Sequence, residues 1–135
     1  MAINDEDKKT LIKYRISRAK DTLGEVNILT QNKFWNTAVN RIYYACYYAV
    51  NALFVKHGLF PHTHSGVRQM FGLHFIKTEI FDKEMGRFFS DMYDKRQTGD
   101  YDDFITYTEE DILDLIPVAE SFIAKIEEHL NIDEL

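Results

Sequence analysis

The apolar residues of this chain recur every three or four positions along nearly its whole length, which is the spacing of one face of an α-helix. The recurrence predicts five helices, over about 6–31, 34–57, 65–77, 83–97 and 109–130. Only 6 glycines and 2 prolines interrupt 135 residues, which is too few for an all-β sandwich or barrel. We therefore expect an all-α, up-and-down bundle of four to five helices, in a single domain over 1–135 with its core at about 8–130.

The second predicted helix carries two adjacent apolar stripes. They consist of Trp35, Ala38, Ile42, Ala45, Ala49 and Ala52, and beside these Val39, Tyr43, Cys46, Val50 and Leu53. Two adjacent stripes bury more than half of a helix's circumference, so we expect this helix at the centre of the bundle. Its alanines allow neighbouring helices to approach closely, and its aromatic side chains fill the wider gaps.

Residues suited to stop or cap a helix stand at most of the predicted boundaries. They are Gly58 after the second helix, Thr63 or His64 before the third, Asp82 before the fourth, and Thr108 with Asp111 before the fifth. Pro117 lies inside the fifth predicted helix, where a proline removes an amide donor and clashes with the preceding turn. We therefore expect a kink or break near 113–117.

The composition excludes several classes of protein. The net charge of −6 argues against a non-specific nucleic-acid coat, because a phosphate backbone attracts net positive charge. The chain has no apolar run long enough for a transmembrane helix, and its first ten residues lack an apolar signal segment. A single cysteine, Cys46, cannot form an internal disulfide, so a reducing, cytoplasmic environment is expected.

Arg96 continues the apolar stripe of the fourth helix, made by Met85, Phe89 and Met92, and lies at its predicted end. A guanidinium there is half-buried and requires an anionic partner. One interpretation is an ion pair with Asp100 or Asp102 just past the helix end, where the arginine also complements the helix dipole. The other is that Arg96 binds an anionic ligand such as a phosphate.

Tyrosines cluster on the second helix, where Arg41, Tyr44 and Tyr48 share one face. The simpler interpretation is aromatic packing in which the hydroxyls are satisfied. The functional interpretation is a stacking surface beside a guanidinium, able to hold a base and a phosphate.

Four histidines, His57, His62, His64 and His74, fall within 18 residues and raise the possibility of a metal site. No cysteine lies near them in sequence, and no pair has the i, i+4 spacing of a helical zinc site. We therefore predict no metal site and no cofactor. His74 lies on an apolar stripe and is expected in the core or in an interface.

Seven acidic residues and no basic ones lie between Gly99 and Asp114. They suit a solvated loop and a helix N-terminus, or alternatively a docking patch for a basic partner. A divalent-metal site made by Asp100, Asp102 and Asp103 is a weaker alternative.

Three segments of the chain, in order, resemble one family. They are Trp35-x-x-Ala38-x-x-Arg41-x-Tyr43-Tyr44-Ala45-x-Tyr47-Tyr48-Ala49, then Thr63-His64-Ser65-Gly66 with Phe71-Gly72-x-His74-Phe75, then Arg96-x-x-x-Asp100-Tyr101. Together they are similar to the HEPN superfamily, in particular to its small stand-alone prokaryotic members. The resemblance covers roughly residues 10–130.

The resemblance implies a helical bundle that forms homodimers and is encoded beside a minimal nucleotidyltransferase, as a toxin–antitoxin or similar module. It also implies a metal-independent ribonuclease in which an arginine is followed, four to six residues later, by a histidine. The arginine corresponds to Arg96, but Tyr101 occupies the place of the histidine. A tyrosine, with an ordinary pKa of about 10, is a poor general base near neutral pH. The tyrosine that partners modify with adenylate in the toxin branch is Asp103 here.

Three functions therefore remain open. The first is a binding module that holds nucleotide or RNA, with Arg96, Asp100, Tyr101, Arg41, Tyr44, Tyr48 and His64 as its candidate residues, and that partners a nucleotidyltransferase. The second is a toxin-type ribonuclease that uses Arg96 with Tyr101, or with a remote histidine such as His64. The third is a helical adaptor without a ligand. Cleavage of RNA without metal separates the first two, and a ligand-dependent rise in melting temperature argues against the third.

Overall fold

A computed structural model of the chain describes residues 3–101 and 106–132. In these ranges it contains five α-helices and one short π-helix, and no strand. The elements are α1 (Asp5–Gln31), α2 (Trp35–His57), α3 (His64–Phe71), the π-helix (Gly72–Ile76), α4 (Lys83–Tyr101) and α5 (Glu109–Leu130). The predicted all-α bundle is confirmed.

Helix α2 lies at the centre, as its two apolar stripes predicted. It packs against α1, α4 and α5, and α1 also packs against α5. Its buried residues are Ala38, Val39, Ile42, Tyr43, Ala45, Cys46, Ala49, Val50, Ala52, Leu53, Phe54 and Val55. Among the described residues, no helix combines the length and the apolar character needed to cross a membrane.

The predicted helix boundaries are set by side-chain caps. Asp82 Oδ1 accepts a bond from the Met85 amide at 2.9 Å, and Thr108 and Asp111 form a reciprocal capping box. Thr63 rather than His64 caps α3, through a 2.9 Å bond from the Gly66 amide. Gly58 ends α2 in the left-handed region, at φ 72°, which glycine adopts without strain.

Helix α5 is continuous through Pro117, so of the kink or break expected near 113–117 the break does not occur. The proline lacks the amide hydrogen that would bond to the preceding turn, yet the apolar face of α5 continues on both sides of it. Ile112 before the proline and Ala119 after it are both fully buried. Packing of this face against the bundle therefore outweighs the local preference of proline.

Two further expectations about local structure are wrong. The third helix ends at Phe71 and gives way to a π-turn, closed by a 2.8 Å bond from the Lys77 amide to the Gly72 carbonyl. His74 lies in this turn and is exposed to solvent, so its expected position in the core is wrong, and the alternative position in an interface stays a prediction. Helix α4 runs to Tyr101 rather than ending near 97, so Asp100 lies within the helix and not beyond it.

Contacts from α2 hold the additional turn of α4. The Asn36 side chain donates to the Gly99 carbonyl at 3.2 Å and accepts from the Tyr107 amide at 3.0 Å. Gly99 has no side chain, and a Cβ there would lie only 3.0 Å from the Tyr107 ring. The residues at 98–101 are therefore helical despite their polar composition, because partners distant in sequence bond to them.

Candidate functional site

Arg96 lies on the face of α4 that packs against α2, and only 8% of its surface is exposed. Its Cζ atom lies 5.1 Å from the centre of the Tyr43 ring, 5.9 Å from that of Tyr44 and 6.0 Å from that of Tyr93. At these distances the ring faces attract the cation. The guanidinium is therefore held in a wall of three phenol rings rather than in water.

The positive charge of Arg96 is only loosely compensated. Its Nη1 atom lies 3.9 Å from Asp100 Oδ2, which is beyond hydrogen-bond distance. Its Nε atom is buried and has no hydrogen-bond partner among the described residues. A buried donor without a partner costs free energy, and an anion with several oxygens can satisfy it.

A polar network extends from Asp100 along α2. Asn40 Nδ2 donates to Asp100 Oδ2 at 3.0 Å, and Asn40 Oδ1 accepts from Arg41 Nε and Nη2 at 3.2 and 3.0 Å. The Arg41 guanidinium lies 5.0 Å from the centre of the Tyr44 ring. A second cation therefore stands beside the ring that also contacts Arg96.

His64, the first residue of α3, completes the cluster. Its Nδ1 atom lies 2.9 Å from the Tyr43 hydroxyl, and its ring stacks on that of Tyr47 with centres 4.4 Å apart. Burial lowers the pKa of His64, and the nearby Arg96 charge lowers it further. Burial raises the pKa of the Tyr43 hydroxyl, so this group keeps its proton. His64 is therefore a neutral imidazole near pH 7.

Comparison with known proteins identifies the family. A model of the HEPN domain matches residues 12–129, nearly the whole chain. The chain belongs to the HEPN family. The matched residues include all three parts of the cluster, which are Arg96 on α4, the aromatic face of α2 and His64 on α3.

Three curated relatives align with this chain over most of their own length. The HEPN chain is 40% identical over 121 residues to a UPF0332 protein of Thermotoga maritima, covering 90% of this chain and 92% of that one. It is 36% identical over 115 residues to a protein of Methanocaldococcus jannaschii named "Putative toxin MJ0142", covering 85% and 78%. A second protein of that organism, "Putative toxin MJ0605", is 33% identical over 129 residues and 96% of both chains.

The HEPN fold brings together most of the predicted site residues. Arg96, Asp100, Arg41, Tyr44 and His64 form one cluster, although they come from three helices. Tyr48 lies one turn further along α2, with its ring centre 6.1 Å from that of Tyr44, and its cationic neighbour is Arg18 rather than Arg41. The side chain of Tyr101, and Asp102 and Asp103 altogether, lie outside the described residues.

Four contributors to the cluster were not among the predicted residues: Tyr43, Asn40, Tyr47 and Tyr93. Tyr43 was assigned to the core stripe of α2, and it is indeed fully buried, but its ring and hydroxyl contact both Arg96 and His64. Asn40 lies one turn before Tyr44 on the helix, so helical spacing from the Arg41–Tyr44 pair was a usable indication. Tyr93 lies one turn before Arg96, where the same spacing applies.

The four histidines that suggested a metal site do not converge. His64 contacts Tyr43, His62 and His74 are exposed, and His57 pairs with His129, with their Nε2 atoms 3.2 Å apart. Within 3–101 and 106–132, no three histidine, cysteine or acidic side chains are placed to hold a metal ion. The Cys46 thiol is fully buried and its pKa is raised by burial, so it is unreactive at neutral pH.

Proposed function

We propose that this HEPN domain binds RNA through a phosphate group at Arg96. The observation that carries the proposal is the buried guanidinium, which has an unpartnered Nε atom and an acidic neighbour no closer than 3.9 Å. A phosphate offers several anionic oxygens to a planar guanidinium, and such charge-assisted bonds are among the strongest in proteins. The toxin names of two relatives, and the second cation at Arg41, support this proposal.

A second candidate function is metal-independent cleavage of the bound RNA, and the position of His64 favours it. In the tautomer with a proton on Nδ1, the imidazole donates to the Tyr43 hydroxyl oxygen and leaves the Nε2 lone pair free. A neutral histidine of this kind is a general base near pH 7. In the other tautomer Tyr43 donates to Nδ1, and Nε2–H is a donor that helps to bind phosphate without cleaving it.

The chemistry of cleavage follows from these roles. His64 Nε2 takes the proton of a ribose 2′-hydroxyl, and the 2′-oxygen attacks the adjacent phosphorus. The bond from phosphorus to the 5′-oxygen breaks, that oxygen takes a proton from water, and the hydroxide so formed takes the proton held by His64. The products are a 2′,3′-cyclic phosphate and a 5′-hydroxyl. Arg96 stabilises the negative charge that accumulates on the phosphate oxygens in the transition state.

His64 also supplies the general base that is missing at the position of Tyr101. The resemblance to catalytic HEPN proteins requires a histidine after the arginine, and Tyr101 is a poor base there. His64 comes from α3 rather than from the end of α4, yet it is close enough for the Arg96 charge to lower its pKa. In this proposal the base is supplied by a different helix, and Tyr101 is not required for proton transfer.

Binding and cleavage are separated by two variants. With excess EDTA, we expect wild-type protein to bind a labelled single-stranded RNA and to produce fragments with 2′,3′-cyclic phosphate ends. Arg96→Met is expected to lose binding and cleavage together, whereas His64→Asn is expected to retain binding and lose cleavage. Binding without cleavage by the wild type leaves a binding module only. No RNA binding by wild-type protein contradicts both functions.

Two further proposals concern assembly. We infer from the family resemblance that the chain forms a homodimer and partners a minimal nucleotidyltransferase. Sedimentation of the purified chain at micromolar concentration tests the first proposal, because a species of only about 16 kDa refutes it. Co-expression with the product of the neighbouring reading frame tests the second, and failure of that product to co-purify counts against it.

A further inference from the structure

A cleft with both aromatic and cationic walls lies where α1 crosses the second half of α2. Its volume is about 440 Å³, and it is lined by Tyr14, Arg15, Arg18, Tyr47, Tyr48 and Asn51. None of these side chains is acidic, although the chain carries a net charge of −6. The cleft is thus a local positive surface on a negatively charged protein.

The lining groups match the parts of a nucleotide. Tyr14 is 60% exposed, so most of its phenol ring is open to a stacking partner. Arg18 lies 4.9 Å from the centre of the Tyr48 ring and donates to the Tyr48 hydroxyl at 3.0 Å, which holds its guanidinium at the cleft. The Asn51 amide nitrogen donates to the Tyr47 carbonyl at 2.8 Å, so its side-chain oxygen is left as an acceptor for a base edge.

The cleft is continuous with the Arg96–His64 cluster through a single ring. Tyr47 lines the cleft and stacks on His64, with ring centres 4.4 Å apart. The tyrosines of α2 therefore form one path from Tyr44, beside Arg96, to Tyr48, beside Arg18. A strand that places one phosphate at Arg96 can direct a neighbouring nucleotide along this path.

We propose that this cleft binds one unpaired nucleotide of the RNA strand whose phosphate binds at Arg96. The base stacks on Tyr14, and Arg15 and Arg18 contact the phosphate of that nucleotide. Stacking on aromatic rings beside cations is how proteins hold single strands, and paired bases do not present their faces in this way. The inference rests on the proposed RNA binding and specifies its substrate class as single-stranded RNA.

The test measures the affinity of the full chain for a fluorescein-labelled 12-nucleotide oligouridylate and for a duplex of equal length, by fluorescence anisotropy. We expect Tyr14→Leu to weaken single-strand binding about 10-fold and Tyr14→Phe, which keeps the ring, to weaken it less than about 2-fold. Phe34 is 57% exposed and lies outside the cleft, so Phe34→Leu is the matched control and should have no effect. The duplex should bind at least about 10-fold more weakly than the single strand.

Arg15→Gln provides a second, independent measurement. Removing one phosphate contact should reduce the slope of log affinity against log salt by about 0.7 for a single strand. Arg87→Gln is its control, because Arg87 is an exposed arginine that lies on α4 away from the cleft. If Tyr14→Leu proves unstable by circular dichroism, the salt slope of Arg15→Gln decides the proposal alone.

The outcomes distinguish this inference from the proposed function. If wild-type protein binds RNA and Arg96→Met does not, but the Tyr14 and Arg15 variants bind normally, the cleft proposal is overturned and the Arg96 site stands. If Tyr14→Leu leaves RNA affinity unchanged but converts a dimer to a monomer in sedimentation, the cleft is a contact between copies of the chain and the proposal is overturned. If wild-type protein binds no RNA, both proposals are overturned.

Discussion

Replacing Arg96 with methionine tests whether this arginine serves function or stability. Methionine has a similar length and fills the same space among the rings of Tyr43, Tyr44 and Tyr93. The substitution removes the cation, its contacts with the rings and the buried Nε donor that lacks a partner among the described residues. These losses act on stability in opposite directions.

The magnitudes nearly cancel. Loss of the cation–ring attraction costs about 1–2 kcal/mol at a desolvated site. Removal of a buried, unpartnered donor returns about 1–3 kcal/mol. Asp100 does not become a buried charge without a partner, because its side chain is 29% exposed and still accepts a hydrogen bond from Asn40 at 3.0 Å. We therefore expect the unfolding free energy to change by less than about 1 kcal/mol, or about 4 °C in melting temperature.

RNA affinity responds very differently. Charge-assisted hydrogen bonds contribute about 1.5–3 kcal/mol, so Arg96→Met should weaken binding about 10- to 100-fold. Asp100→Asn is the opposite perturbation, because it removes the nearby negative charge, and it should tighten binding up to about 5-fold. Urea denaturation and anisotropy measure the two quantities. A loss of stability above about 3 kcal/mol, or an unchanged RNA affinity, would refute the reasoning.

Three further predictions concern stability. The pKa values of His57 and His129 are lowered, first by burial, so the unfolded chain binds more protons. The contribution of these histidines to the free energy of unfolding should therefore be complete above pH 6.5 and be lost as the pH falls through their lowered pKa values. Urea titrations that give the same free energy of unfolding between pH 7.5 and 5.0 contradict this. Pro117→Ala should stabilise the chain by about 1–3 kcal/mol, since α5 is continuous there and regains an amide donor; a lower melting temperature refutes this. Asn36→Ala should cost about 1–3 kcal/mol, because it removes bonds to Gly99 and Tyr107, and an unchanged denaturation midpoint refutes it.

The helical bundle was predictable because the positions and ends of its helices depend on residues that are close together in the sequence. The two stripes of α2 identified the central helix, and the caps at Asp82 and Thr108 are bonds within one turn of chain. The burial of Arg96 was also indicated, because it continues the stripe of Met92 on α4. Periodicity and capping depend on residues three or four positions apart, which a sequence displays directly.

Most of what the sequence did not show depends on partners that are distant in the chain. Helix α4 is longer than predicted because Asn36, about 60 residues away, bonds to Gly99. The π-turn that contains the exposed His74 is a local feature, but the amino-acid composition of Gly72–Ile76 does not indicate it. The contact of His64 with Tyr43 required knowing that α3 returns to α2 beside α4. Helical spacing contains none of this information.

Tyr43 belongs to two parts of the molecule at once. One face of its ring stacks on Phe89 within the apolar interior, while its hydroxyl meets His64 and its ring meets Arg96. We therefore expect a substitution that repacks the interior around Phe89 to shift the imidazole and the guanidinium as well. The interior residues around Phe89 are therefore constrained by the cluster as well as by packing, so loss-of-function variants should arise at positions that do not contact the proposed site.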